Sequence, residues 1–150
     1  MEVTESATMV DTERALQVLC ALRGTGVGVS IDDFGTGHAS IAYLTSLPAS
    51  EIKIDKSFVT CMCEDARSEA IMRSTVDLAR HLEMHVVAEG IETQAVMDRL
   101  LELGCDTGQG YLISRPLPAE QLTTLLTNAR DGMFKTPGAE PPDGVVAATN

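Results

Sequence analysis

Tryptophan is absent from this 150-residue chain, and aromatic residues make up only 3 % of it. Any core must therefore be built from Leu, Ile, Val, Ala and Met, as the cores of α/β proteins commonly are. Basic residues are scarce and scattered. Eleven Lys and Arg against 22 Asp and Glu leave a net charge of −11, which repels a polyphosphate backbone and excludes nonspecific binding to a nucleic-acid polymer. No run approaches the roughly 18 apolar residues of a membrane span. The N-terminus MEVTESATMV is acidic and polar where a signal peptide is basic and then apolar. The chain is expected to be cytoplasmic, any membrane anchor of its parent lying upstream. Cys20, Cys61, Cys63 and Cys105 form neither a C-x-x-C pair nor an extracellular framework, and the C-x-C at 61 to 63 is too close for an ordinary bridge within one element. Reduced, partly buried thiols are expected. A hydrophobic content of 44 %, with 12 Gly and 6 Pro, is that of an ordinary globular domain.

What is present is a recurrent pattern. Four segments end a short β-branched or Gly-rich run on a polar or acidic group: Val27-Gly28-Val29-Ser30-Ile31 into Asp32-Asp33, Ile52-Lys53-Ile54-Asp55, Val86-Val87-Ala88 into Glu89, and Gly108-Gln109-Gly110-Tyr111. Helical patterns lie between most of them. Asp11 caps a helix from Thr12 to about Arg23 with Ala15, Leu16, Leu19, Cys20 and Leu22 as its apolar stripe, and a short helix near Ser40 to Leu47 is stopped by Pro48. A long helix is predicted over Ala66 to Glu83, with Ile71, Ser74, Thr75, Leu78, Ala79 and Leu82 on one face. Thr93 caps another that ends at Leu103 and Gly104, and Pro118 opens a last one reaching about Ala129.

With Met1 to Thr4 as the end of a strand, Glu51 to Asp55, His85 to Ala88 and Asp106 to Leu112, the chain has about five strands. The stretch 131–150, with three prolines and three glycines and no sustained period, is expected to be a disordered tail. A βαβα order makes the strands parallel and gathers their carboxyl ends on one rim. A complete (β/α)₈ barrel takes about 250 residues, so a barrel parent would leave this chain as its C-terminal half or slightly more.

Strand alternation sends Ile52 and Ile54 toward covering helices and Lys53 and Asp55 to the other face, where a buried lysine requires a charged partner. Asp32 and Asp33 are hard oxygen donors that repel one another unless a cation lies between them, which suits Mg²⁺, Mn²⁺ or Ca²⁺. Taken alone, the pair also fits a helix cap plus a solvated acid ahead of a Gly-rich turn. Glu2, Lys53, Glu89 and Gln109 occupy equivalent strand-end positions, which favours the metal reading. Several other patterns carry no chemistry. His81 and His85 stand in H-L-E-M-H rather than H-E-x-x-H, Gly35-Thr36-Gly37 lacks the Lys-Ser/Thr of a phosphate loop, and Gly24-x-Gly26-x-Gly28 precedes its strand instead of following it. Met62, Met72 and Met97 read as core or surface filler.

The segments MEVTES, SIDDFGTGHAS, EIKIDKSFV, VVAEGIET and GCDTGQGYLISRPLP, in this order and spacing over residues 1 to 128, resemble the second half of the EAL domain, the cyclic di-GMP phosphodiesterase module of bacterial signalling proteins. The resemblance implies an α/β fold, a partial (β/α)₈ TIM-like barrel of the EAL type, with residues 1–130 as the C-terminal part of the domain. It also implies hydrolysis of cyclic di-GMP to pGpG with two Mg²⁺ or Mn²⁺ ions. Glu2, Asp32, Asp33 and Glu89 are then the metal ligands, Asp32 bridging and Asp33 holding the second ion. Lys53 orients and polarises the attacking water, Gln109 holds metal-associated water or substrate phosphate, and Glu5 braces the D-D-F-G-T-G loop. A homodimer is implied for the complete protein.

The chain departs from the family in holding no Glu-Ala-Leu triplet and no Asn ligand from the strand that follows it; Glu69-Ala70-Ile71 falls inside a helix. His38 and Ala39 replace an aromatic and a serine, a change read as tolerated. Lacking two first-metal ligands, the chain alone is expected to be inactive and to need a missing N-terminal barrel half as its partner. The alternatives are a catalytically inactive EAL domain that binds cyclic di-GMP or regulates, and a non-functional piece that keeps the half-barrel fold.

Overall fold

The computed structural model describes residues 1–36 and 41–130. The strands are β1 (Glu2–Thr4), β2 (Ser30–Phe34), β3 (Glu51–Ile54), β4 (His85–Glu89) and β5 (Thr107–Gln109). The helices are α1 (Glu5–Met9), α2 (Thr12–Gly24), α3 (Ile41–Leu44), α4 (Lys56–Cys61), α5 (Ala66–His81), α6 (Gln94–Leu103) and α7 (Ala119–Arg130). All strand pairs are parallel and follow sequence order, β1-β2-β3-β4-β5. A doubly wound sheet reverses its order at a switch point. Here the order never reverses, as in an arc of a barrel, and successive strand ends fall on one rim.

Side-chain oxygens start most helices by accepting a first-turn N–H. Thr4 accepts from Ala7, Asp11 from Arg14, Asp65 from Arg67 and Ser68, and Thr93 from Val96. Gly104, with φ 77, ends α6 in the left-handed conformation that a helix C-terminus favours. On the helix side of the sheet Ile52, Ile54, Val86 and Ala88 are fully buried together with Val59, Met72, Val76 and Ala79.

Several local expectations are corrected. β2 begins at Ser30 and runs through Asp32 and Asp33 to Phe34, three residues later than the Val27 start that the β-branched pattern suggested. Asp55 does not continue β3 onto its polar face. Its Oδ1 accepts from the Ser57 N–H at 2.9 Å and starts α4, a helix the periodicity did not reveal. α5 turns Met72, Thr75, Val76 and Ala79 inward and leaves Ile71 exposed, because its stripe is rotated by one residue. β5 keeps three residues of the predicted run to Leu112, and α3 is one turn. Cys20, Cys61 and Cys63 are exposed, and only Cys105 is partly buried. The His38 and Ala39 replacements, the helix start near Ser40 and the tail 131–150 lie outside the described residues.

Candidate metal centre

Lys53 projects from β3 onto the face away from the helices, with its side chain 10 % exposed. Its ammonium meets three carboxylates: Glu89 Oε1 at 2.7 Å, Glu2 Oε1 at 3.0 Å and Asp32 Oδ1 at 3.2 Å. Each arrives from a different strand, β4, β1 and β2, and from a different height: in the register Asp32 is level with Lys53, Glu2 about two residues below it and Glu89 two above, so the expected equivalent strand-end positions are not found and the long lysine side chain bridges the offset. Burial by itself pulls the lysine pKa down. The hydrogen bonds with Glu89, Glu2 and Asp32 more than offset it, and the group is held above the ordinary lysine range.

Neighbouring residues of a regular strand face opposite sides, so Asp32 and Asp33 could not both serve one ion from an ideal strand. β2 departs from ideality at this point. Its register against β3 shifts between Ile31 and Phe34, and Asp33 takes φ 55, a left-handed conformation that Asp adopts more readily than most L-residues. The outcome is that carboxylate oxygens of Asp32, Asp33 and Glu89 all lie within 4.8 Å of one another. Donors at 2.0–2.6 Å from one hard cation are at most about 5 Å apart, so the spacing fits a single shared ion. Asp32 Oδ1 is buried, and its close partner among the described residues is the Lys53 ammonium at 3.2 Å. An all-oxygen set of this kind suits Mg²⁺, Mn²⁺ or Ca²⁺.

The remaining candidates stand around this cluster. Glu2 reaches it through Lys53 and lies outside the three-carboxylate group. Gln109 is opposite Glu89 in the β4–β5 register, and a cleft lined by Lys56, Glu89, Glu92, Gln109 and Tyr111 opens beside it. Arg115 caps that cleft's aromatic wall, its guanidinium 4.5 Å from the Tyr111 ring centre. Glu5 is buried in α1, and its Oε2 accepts the Gly35 N–H at 3.1 Å. A family model for the EAL domain matches residues 1–116.

The chain belongs to the EAL domain family. The Pseudomonas aeruginosa bifunctional diguanylate cyclase/cyclic di-GMP phosphodiesterase MucR is 50 % identical over 122 residues, which are 81 % of this chain and 18 % of MucR. The solved MucR phosphodiesterase in complex with c-di-GMP superposes with a TM-score of 0.78 over 81 % of this chain and 49 % of that one, at 50 % identity. Klebsiella pneumoniae BlrP1, solved as a manganese and cyclic di-GMP complex, gives 0.72 at 36 % identity over 77 % of this chain and 29 % of its own. The chain thus spans about half of the solved MucR chain and less than a fifth of full-length MucR. The five-stranded parallel sheet is an arc of the EAL α/β barrel.

Residues that suggested other chemistry have structural partners. His85 Nε2 shares a hydrogen bond of 2.7 Å with Thr107 Oγ1 at the opposite end of the strands, and His81 Nδ1 lies 2.6 Å from the Asp77 carbonyl oxygen. Glu69 ties α5 to α6 through Arg99 and also pairs with Arg73. No helix among the described residues is long and apolar enough to cross a membrane. Sequence reasoning missed Tyr43 and Phe58. Tyr43 Oη donates to the Thr8 carbonyl at 2.8 Å, and the Phe58 ring lies against Gly35, where a Cβ would come within 3.0 Å of it. Both look like ordinary helix residues in a linear reading, and only their contacts with α1 and with Gly35 mark them.

Proposed function

We propose that residues 1–130 form the C-terminal part of an EAL domain and supply most of a metal-dependent centre that hydrolyses one phosphodiester of cyclic di-GMP to give linear pGpG. The observation that carries this reading is the convergence of Asp32, Asp33 and Glu89 beside Lys53 in a family whose solved members include cyclic di-GMP complexes. Asp32, Asp33 and Glu89, with Glu2 nearby, would hold Mg²⁺ or Mn²⁺. Divalent cations bound there supply Lewis acidity and lower the pKa of water.

The chain's own groups do the orienting. Lys53, held beside Asp32 and Glu89, would act as a fixed donor that aligns the attacking water oxygen and favours its hydroxide form. Gln109, at the end of β5, donates its amide N–H to a phosphate oxygen. The cleft beside it takes the neighbouring nucleoside. Glu2 balances Lys53 from the far side and keeps the ammonium centred.

Manganese titration followed by electron paramagnetic resonance tests the site directly. The wild-type chain should bind Mn²⁺, and Asp33→Asn and Glu89→Gln should each weaken binding at least tenfold. Binding that survives both substitutions would overturn the assignment.

A further inference from the structure

A left-handed residue such as Asp33 persists in a strand only where its surroundings hold it, and those surroundings converge on α1. The Gly35 N–H donates to Glu5 Oε2, and Thr36 closes the turn onto the Asp33 carbonyl through both its N–H, at 3.3 Å, and its hydroxyl, at 2.8 Å. Glu5 and Thr8 are polar yet buried. The Thr8 hydroxyl is used inside the helix, donating to the Glu5 carbonyl at 2.8 Å, while the Thr8 carbonyl accepts from Tyr43 Oη. One short helix therefore grips position 35, just after the acid pair, and position 43, in α3. α1 itself follows β1, whose Thr4 is opposite Asp32 in the register.

We propose that Tyr43 is a positioning residue for the acid pair: its hydroxyl fixes α1, α1 fixes Gly35 through Glu5, and the strained Asp32–Asp33 geometry depends on that chain of contacts. The Tyr43 hydroxyl reaches α1 at the Thr8 carbonyl, and its effect on the acid pair runs through that helix. The inference rests on the metal reading above for its functional meaning, but not for its mechanical part. Deleting the hydroxyl leaves the ring in place against the core and removes one donor from a buried backbone carbonyl.

The test compares Tyr43→Phe with the wild-type chain by amide hydrogen exchange and by Mn²⁺ titration. Exchange at Gly35 should rise at least tenfold, exchange at Ile52 and Ile54 in β3 should stay within twofold, and Mn²⁺ should bind 3- to 10-fold more weakly. Replacing Tyr43 with 4-aminophenylalanine, which restores an N–H donor, should return both readouts, and it carries the comparison if Tyr43→Phe does not fold. A Gly35 rate within twofold of wild type, a rise shared equally by β3, or Mn²⁺ affinity unchanged while Gly35 loosens would each overturn the proposal. If the wild-type chain binds no Mn²⁺, the metal reading fails while the Gly35 rate still decides whether Tyr43 holds the turn.

Discussion

Lys53 Nζ and Glu89 Oε1 lie 2.7 Å apart across the β3–β4 pair although the two residues are not direct partners. Lys53 is opposite Val87 in the register, and Glu89 is two residues further on, so both side chains emerge on the same face. The lysine leans toward the rim to reach the acid. In doing so it becomes, among the described residues, the one cation paired with Glu2, Asp32 and Glu89, and a divalent ion would compete with it for those acids.

Lys53→Met should therefore separate stability from metal binding. Leaving three carboxylates without their cation should destabilise the metal-free chain by about 2–3 kcal/mol, below the 3–5 kcal/mol of a fully buried pair because Glu2 is largely exposed. The same change should tighten Mn²⁺ binding, since the competitor is gone. Urea unfolding with and without Mn²⁺ measures both effects. Equal stabilisation of wild type and variant by the ion would contradict the competition.

Asp33 offers the opposite trade. At φ 55, glycine relieves a conformational cost of about 1 kcal/mol, so Asp33→Gly should raise the thermal midpoint of the metal-free chain while weakening Mn²⁺. Asp33→Val should lower the midpoint, because a β-branched side chain resists that conformation. A midpoint that falls with Gly would show that the carboxylate stabilises the metal-free turn more than the backbone strains it.

Asp55 should account for part of the chain's acid sensitivity. Its hydrogen bond with Ser57 is the largest cause that holds its carboxyl below the ordinary range. A depressed folded value means stability that is fully present above about pH 4, the usual Asp value, and is lost as pH falls through the folded value. Asp55→Ala should cost about 1 kcal/mol at pH 7 through loss of the α4 cap, and this deficit should shrink toward pH 3. Chemical denaturation at the two pH values checks the sign.

The ends of the sheet predict association. β1 and β5 each pair on one side only among the described residues, and exposed Met1, Val10 and Val18 near β1 and Tyr111 just after β5 add apolar surface. Open strand edges template further pairing. Light scattering on the isolated chain should show concentration-dependent mass. A monomer that persists at high concentration and unfolds cooperatively would contradict this.

Period-2 alternation fixed which way Ile52, Lys53 and Ile54 point, and the strand-end acids announced the rim, because both follow from short-range geometry. The Asp33 conformation was not legible: the pair reads as ligands of one cation, but strand alternation alone turns adjacent side chains apart, and the register shift and positive φ that bring them together leave no mark in the sequence. Asp55 misled for a related reason, since the same residue continues a polar stripe or caps the next helix, and only the chain's turn decides. Tyr43 and Phe58 act through contacts with distant segments and leave no local pattern at all.

Once its complement is supplied, the strand-end cluster should act as a catalytic phosphodiesterase centre. Fusing this chain to the N-terminal part of the MucR EAL domain, which is 50 % identical to it over their shared span, and measuring cyclic di-GMP turnover tests this most directly. Mn²⁺- or Mg²⁺-dependent release of pGpG is expected, with Lys53→Ala and Glu89→Gln each costing several orders of magnitude, His81→Ala nearly silent, and the unfused chain showing negligible turnover. A fusion that folds and binds metal yet releases no pGpG, or that keeps its rate after Lys53→Ala, would contradict the account.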